Sequence, residues 1–370
     1  MDLQKHKKVI ISGGGTGGHI FPAISIAKAL QKIDPAIEIL FVGAEGRMEM
    51  EKVPAAGYRI IGLPVAGISR KNIFRNFSVL FKLVKSLRMA KRTIKEFNPD
   101  VVVGVGGYAS GPVLRQSAKM GIPVIIQEQN SYAGVTNRLL AKKASVICVA
   151  YDSMEKYFPG KKIVKTGNPV RQNFENLENM KVDALRFFNL RPGSPVVLIL
   201  GGSLGAGSIN KCFSDNIKTM AESGCHWLWQ TGRLYHQEIR KSVPVSFNDK
   251  ISINAFIDRM DYAYSAADII ISRAGAGTIS ELCLVGKPAI LVPSPNVAED
   301  HQTKNALALA GRNAAILIPD EKVGKILVSE ALNLVSDKQK KQMLSENISK
   351  MAERDANMRI AEEVLKLVHK

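Results

Sequence analysis

The chain has 370 residues and a formal net charge of +18, with 46% hydrophobic and 23% charged residues. That length and balance suit about two globular domains with sizeable cores and exclude a disordered chain, and no apolar run reaches the roughly 18 residues a membrane-spanning helix needs. The four cysteines, Cys148, Cys212, Cys225 and Cys283, form no Cys-x-x-Cys pair. Neither a disulfide framework nor a thiolate zinc site is therefore expected, and a reducing compartment is the natural setting.

In chain order, MDLQKHKK leads directly into an apolar strand at 9–12, without the apolar core of a signal peptide, so no secretory leader is expected. A helix follows at 21–30. Further strands are predicted at 38–43, 58–65, 100–107, 123–130 and 144–150, most of them separated by helical stretches. After 162–171 the pattern restarts at 195–206 and continues through 226–232, 250–256, 268–275 and 288–293. Short apolar runs alternating with helices indicate an α/β fold with parallel sheets. The expected organisation is a first domain at 1–171, a linker at 172–194, a second domain at 195–336, and C-terminal helices at 337–370 that cross back to the first domain.

The charge is uneven. Residues 1–171 hold 27 Lys and Arg against 11 Asp and Glu, whereas residues 172–370 hold 24 against 22. A first half this basic points to a polyanion or an anionic surface. Nine of its cations lie in 67–97, where Ile73, Phe77, Leu80, Val84 and Leu87 recur at spacings of four and three. That is one helical face, and the apolar stripe by itself is expected to pack into the core. The basic face and flanking loop, with Arg70, Lys71, Phe74, Arg75, Phe81, Lys82 and Lys85, are the candidates for contact with an anionic bilayer. Aromatic residues are sparse at 6%, and no stacking platform or recognition helix is evident, so nucleic acid is not an expected partner.

Glycine loops carry most of the chemical signal. Gly13-Gly14-Gly15-Thr16-Gly17-Gly18-His19 follows the first strand, and Gly201-Gly202-Ser203-Leu204-Gly205-Ala206-Gly207 opens the second half. Such loops let backbone approach a phosphate, and a following helix N-terminus favours negative charge. Each can equally be a tight turn that needs positive φ. A third run, Arg273 to Glu281 (RAGAGTISE), ends the 268–275 strand, where open α/β sheets bind ligands. Glu281 suits a ribose diol, because a carboxylate accepts two hydrogen bonds. Glu128-Gln129-Asn130 and Asp300-His301-Gln302 offer amides and carboxylates for sugar hydroxyls, or serve as helix caps. His19 opens a helix whose dipole disfavours imidazolium, leaving a neutral ring able to accept a proton. No Walker motif, no Asp-x-Asp pair and no His-Glu-x-x-His occurs, so no metal site and no cofactor is expected. An NAD(P) oxidoreductase would leave the second and third loops unexplained.

Taken together, GGGTGGHIFPA, GVGGYASGP, QEQN, TGNPVR, GGSLGA, SRAGAGTISE and DHQTKNA, in this order, resemble the MurG-type N-acetylglucosaminyltransferases of peptidoglycan synthesis. The resemblance spans roughly residues 9–310. It implies the GT-B fold, with two Rossmann-like domains and a cleft between them. It also implies inverting, metal-independent transfer of N-acetylglucosamine from UDP-GlcNAc to lipid I, giving lipid II, by a peripheral enzyme at the cytoplasmic face of the membrane. The partners it implies are UDP-GlcNAc, the lipid I acceptor, an anionic membrane surface and proteins of the cell-wall machinery.

Residue by residue, the resemblance makes His19 the candidate general base. Thr16, Gly17 and Gly18 belong to a loop that meets sugar nucleotide or acceptor diphosphate. Asn130 and Gln302 are similar to donor-sugar contacts, Ser203 to a donor-phosphate contact with Arg171 and Arg273 near the same group, and Ile257 to the position whose backbone reads uracil. Ala276, Gly277, Thr278, Ile279, Ser280 and Glu281 look like the nucleotide loop, with Glu281 on the ribose. Gly106, Gly107, Tyr108, Ala109 and Ser110 form an acceptor-side loop. The segment PSPNVAEDHQ departs from the longer loop of some members. Another GT-B glycosyltransferase with a different lipid or small-molecule acceptor is the alternative.

Overall fold

A computed structural model describes residues 6–65, 73–170, 174, 176–297 and 300–368, with backbone alone at 73–78 and 80. Arg70, Lys71 and Arg171, and the side chains of Phe74 and Arg75, lie outside the described residues. The chain forms two compact units, Met1–Arg171 with Glu353–Lys370, and Gln172–Ala352.

The first unit alternates β1 (Lys8–Ser12), α1 (Gly17–Ile33), β2 (Glu38–Ala44), α2 (Glu49–Ala55), β3 (Arg59–Leu63), α3 (Ile73–Phe97), β4 (Val101–Gly104), α4 (Ser110–Lys119), β5 (Val124–Glu128), α5 (Val135–Leu140), β6 (Val146–Val149) and β7 (Ile163–Lys165). Its seven strands are all parallel, in the order β3-β2-β1-β4-β5-β6-β7. Helices cover both faces, so the strands are apolar throughout rather than alternating with polar residues. In β1, Val9 and Ile11 enter one core cluster and Ile10 the opposite one; in β4, Val101 and Val103 part from Val102 in the same way.

The second unit opens with α6 (Lys181–Phe187) and continues through β8 (Val196–Leu200), α7 (Gly207–Ser214), α8 (Ile217–Glu222), β9 (His226–Gln230), α9 (His236–Ser242), β10 (Ile251–Asn254), α10 (Met260–Ala266), β11 (Ile269–Ser272), α11 (Ala276–Val285), β12 (Ala289–Leu291), α12 (His301–Ala310), β13 (Ile316–Leu317), α13 (Val323–Ser336) and α14 (Lys338–Ser349). Its six parallel strands run β10-β9-β8-β11-β12-β13. The final helix, α15 (Ala356–Val368), belongs to the first unit, where Ile360, Ala361 and Val364 join the cluster that holds Ile20, Ala23 and Ala27 of α1.

Two expectations are corrected here. The 172–194 stretch, expected as a linker, packs with the second unit: Leu177, Ala184, Leu185, Phe188 and Leu190 are buried in that unit's core. Its apolar positions belong to one short helix and the turns around it, too few to show a period. The helices after 337 are divided, with Leu344 and Ile348 of α14 buried in the second unit.

In both sheets the strand order reverses beside the first strand, between β1 and β4 and between β8 and β11. The crevice at the strands' carboxyl ends is the ligand position at such a switch point. The turn after β1 is Gly13–Thr16 and that after β4 is Val105–Ala109; the turns after β8 and β11 are Gly201–Ala206 and Arg273–Gly275.

Candidate active site

The first unit's two switch-point turns are packed backbone to backbone. Gly107 has φ +85°, and a Cβ there would lie 2.3 Å from the Gly14 carbonyl oxygen, so only glycine fits. A Cβ on Gly106 would lie 2.8 Å from Nε2 and Cδ2 of His19, so the imidazole edge rests on that backbone. Helix α1 starts at Gly17, earlier than the predicted 21, which puts His19 in its first turn. Thr16 has extended backbone just before the helix, and its Oγ1 lies 3.2 Å from His19 Nδ1. For Nε2 to accept a proton, Nδ1 must hold the ring hydrogen and donate it to Thr16 Oγ1. Thr16 and Gly18 are exposed and Gly17 is half-buried.

Within the second turn the residues divide. Tyr108 is 62% exposed, whereas Ala109 and Ser110 are buried and the Ser110 hydroxyl donates to the Gly107 carbonyl at 2.9 Å. Ser110 thus shapes the loop. Below it lies a polar network at the end of β5. Gln127 Nε2 donates to Asn168 Oδ1 (3.0 Å), Asn168 Nδ2 to the Gln129 carbonyl (2.9 Å), and Gln129 Nε2 to the Val105 carbonyl (2.9 Å). The QEQN and TGN segments therefore support the Val105–Ala109 turn. Glu128, 2% exposed, accepts from the Asn130 backbone amide (3.0 Å) and side chain (3.2 Å), from the Gly134 amide (2.9 Å) and from Asn137 Nδ2 (2.9 Å). It is the group that fixes Asn130.

A second carboxylate is buried in a similar way, and the sequence motifs do not reveal it. Glu49 accepts from the Gly15 amide with both oxygens (3.0 Å each) and from the Ala44 amide (2.9 Å), directly under the first glycine loop.

In the second unit, Ser203 and Leu204 stand exposed on the turn after β8, and the Ser203 carbonyl accepts from the Arg233 amide (3.1 Å). Arg273, expected near a donor phosphate, is turned on protein groups instead. Its guanidinium donates to Asp320 (2.5 Å), to Ser208 Oγ (2.9 Å) and to the Val292 and Pro293 carbonyls (3.2 and 3.1 Å). It ties the turn after β11 to the segments after β12 and β13. The Ile257 amide donates to Gln230 Oε1 (2.9 Å), so a base edge would have to be read through the Ile257 carbonyl.

Along α11, Gly275 precedes the first turn without a side-chain cap, Gly277 faces open space, Ser280 bonds back to the Ala276 carbonyl (3.0 Å), and Ile279 is core. Thr278 is half-buried. Glu281 is held by the fully buried Tyr264, whose hydroxyl donates to Oε2 at 2.9 Å. Gln302, in the first turn of α12, accepts from the Ser294 amide (2.9 Å), which directs its side-chain oxygen to the protein and leaves its NH2 as the outward donor.

Of the stripe expected in the core, the side chains of Ile73, Phe77 and Leu80 lie outside the described residues, Leu87 is half-buried and Val84 is exposed. Residues 81–85 are all exposed, Phe81 by 73%, while Ser86, Ala90, Thr93 and Ile94 form the buried face. Val84 is therefore surface, beside Lys82 and Lys85. Among the described residues no helix is long and apolar enough to cross a membrane.

Residues 9–149 match the glycosyltransferase family 28 N-terminal domain, and residues 196–360 match the family's C-terminal domain. Two bacterial relatives carry the name UDP-N-acetylglucosamine--N-acetylmuramyl-(pentapeptide) pyrophosphoryl-undecaprenol N-acetylglucosamine transferase. That of Parabacteroides distasonis is 57% identical, covering 100% of both chains; that of Porphyromonas gingivalis W83 is 57% identical, covering 98% of this chain and 96% of its own. A crystal structure of MurG from Acinetobacter baumannii superposes with a TM-score of 0.76 at 29% identity, covering 97% of this chain and 99% of that one. With both domains matched and identity this high over the full length, the chain belongs to glycosyltransferase family 28, among the MurG-type N-acetylglucosamine transferases.

Proposed function

We propose that this chain transfers N-acetylglucosamine from UDP-GlcNAc to the 4-hydroxyl of the muramoyl sugar of lipid I, forming lipid II, with inversion and without a metal. The observation that carries the reading is the 57% identity over the whole chain to transferases of that name. The site geometry agrees in kind: each sheet offers a glycine turn at its switch point, one beside a histidine and one beside a braced carboxylate.

In this reading the first unit serves the acceptor and, through Asn130, the donor sugar, and the second serves the nucleotide. The acceptor oxygen attacks C1 of the sugar as its proton passes to His19 Nε2. The bond from C1 to the β-phosphate oxygen breaks, and UDP leaves with the electron pair. Its growing charge is met by Ser203, the turn after β8 and the first amides of α11. Arg171 is a further candidate there, and Arg273 acts by holding the loop. Glu281 takes the ribose, the Ile257 carbonyl the uracil, and Asn130 and Gln302 the donor sugar. Gly106, Gly107 and Tyr108 line the acceptor side. Exposed Phe81, Lys82 and Lys85, with Arg70, Lys71, Phe74 and Arg75 of the same segment, dock the enzyme peripherally on anionic lipid at the cytoplasmic face.

Transfer of labelled N-acetylglucosamine to a lipid I analogue, with EDTA present, tests donor, acceptor and metal independence together. Labelled lipid II is the expected product. UDP binding without transfer would redirect the reading to another acceptor, and loss of both would end it.

A further inference from the structure

We propose that the Glu49 carboxylate is an internal anion that ties the Gly15 amide of the first glycine loop to the Ala44 amide at the end of β2 and thereby holds that loop, and His19 with it, in working position. This rests on the reading that the loop and His19 serve the acceptor. Glu49 opens α2 and is 1% exposed. Among the described residues its hydrogen-bond donors are backbone amides, those of Gly15 and Ala44, and no Lys, Arg or His pairs with it.

The glycines around it follow from its presence. A Cβ on Gly14 would lie 2.0 Å from Glu49 Oε1, and one on Gly43 would lie 2.6 Å from its Cγ. Both positions are bare because the carboxylate side chain passes between them, which is a different reason from the approach of a ligand phosphate. The Gly15 amide, which the loop would offer to a phosphate, already has an acceptor, and so does the Ala44 amide at the end of β2. A second anion at the same amides would meet the carboxylate charge at contact distance, which is strongly unfavourable in a buried setting. An acceptor diphosphate must then be met by other groups.

The consequence reaches His19 through packing. The Gly14 carbonyl presses on Gly107, the neighbouring Gly106 carries the imidazole edge, and Thr16 is the second residue after Gly14. A loop released from Glu49 moves the base, and a misplacement of about 1 Å costs about a hundredfold in rate. Glu49 is therefore a positioning residue.

The test compares wild type with E49A and E49Q in the lipid I transfer assay, with and without added acetate, which matches the deleted CH2–COO− group. E49A is expected to lose about ten- to a hundredfold in kcat with the KM for UDP-GlcNAc unchanged, and acetate is expected to restore much of that loss. A merely structural role would not respond to acetate. E49Q keeps the shape, but only one of its terminal atoms can accept and its NH2 stands against the Gly15 N–H in either orientation, so it too is expected to be slow, and it decides the matter if E49A does not fold. Wild-type kcat in E49Q, a loss in E49A that acetate leaves untouched, or a rise in donor KM overturns the proposal. If instead wild type fails to use the lipid I analogue, the acceptor reading has failed, and that shows without any variant.

Discussion

Tyr264 offers a sharp test of the donor site because it touches Glu281 and is itself fully buried, packed edge-on against Phe174. Tyr264→Phe removes one hydroxyl and leaves the Glu281 charge in place. The hydrogen bond to Glu281 already exists without nucleotide, so its full strength does not pass into affinity. What passes is the cost of re-ordering a loosened carboxylate each time UDP binds, about 0.5–1.5 kcal/mol for one flexible side chain. That corresponds to about two- to tenfold in Kd. Calorimetric titration with UDP and with 2′-deoxy-UDP separates this from general damage. Wild type should prefer UDP, Glu281→Ala should lose the preference, and Tyr264→Phe should lose part of it. Wild-type affinity in Tyr264→Phe, or an equal loss for both nucleotides, would refute the argument that Tyr264 aims the carboxylate at the ribose.

Other outcomes follow from the same geometry. His19→Ala should lower kcat far more than UDP affinity; an equal loss of both marks the ring as structural. Arg273→Ala removes the cation from half-buried Asp320 and leaves it the Ser208 hydroxyl (2.6 Å), so it should cost about 1.5–3 kcal/mol in urea unfolding, and unchanged stability with a selective loss of UDP binding would restore the phosphate role. Lys287 donates to the Ser265 carbonyl (2.9 Å) and to that of Ala267, and burial holds its ammonium down to about 8 from 10.5. Between those pH values the unfolded chain binds a proton that the folded one does not, so stability should rise with pH across that window, and Lys287→Met should abolish the rise. A difference between the two proteins that stays flat in pH-dependent unfolding would contradict it. Replacing Lys82 and Lys85 by Glu should weaken binding to vesicles containing anionic lipid; unchanged binding would remove α3 from the membrane surface.

What the sequence made legible, and what it hid, divide along one physical line. A switch-point turn is written in contiguous residues, because a strand, a tight backbone bend and a helix start must follow one another directly. That is why both glycine loops, His19 and the run ending in Glu281 could be read from spacing. The groups that hold those loops are distant in sequence: Glu49 lies 34 residues from Gly15, Asp320 lies 47 from Arg273, Gln230 lies 27 from Ile257 and Tyr264 lies 17 from Glu281. No local period relates such pairs, since parallel strands bring them together only through crossover connections. Composition gives no warning either, because a buried carboxylate and a surface one are the same letter. The one available signal for Glu49 was indirect: Gly14 and Gly43, far apart in the chain, are both glycines that a single side chain requires. The misread face of α3 has the opposite cause. Its apolar residues do repeat at helical spacing, but among the described side chains the buried side is Ser86, Ala90, Thr93 and Ile94, half of them hydroxyl residues that carry no hydropathy signal. Periodicity identifies a helix and its most apolar side, and the neighbours decide which side is covered. Among the described side chains, Phe81, Leu83 and Val84 are left exposed next to Lys82 and Lys85.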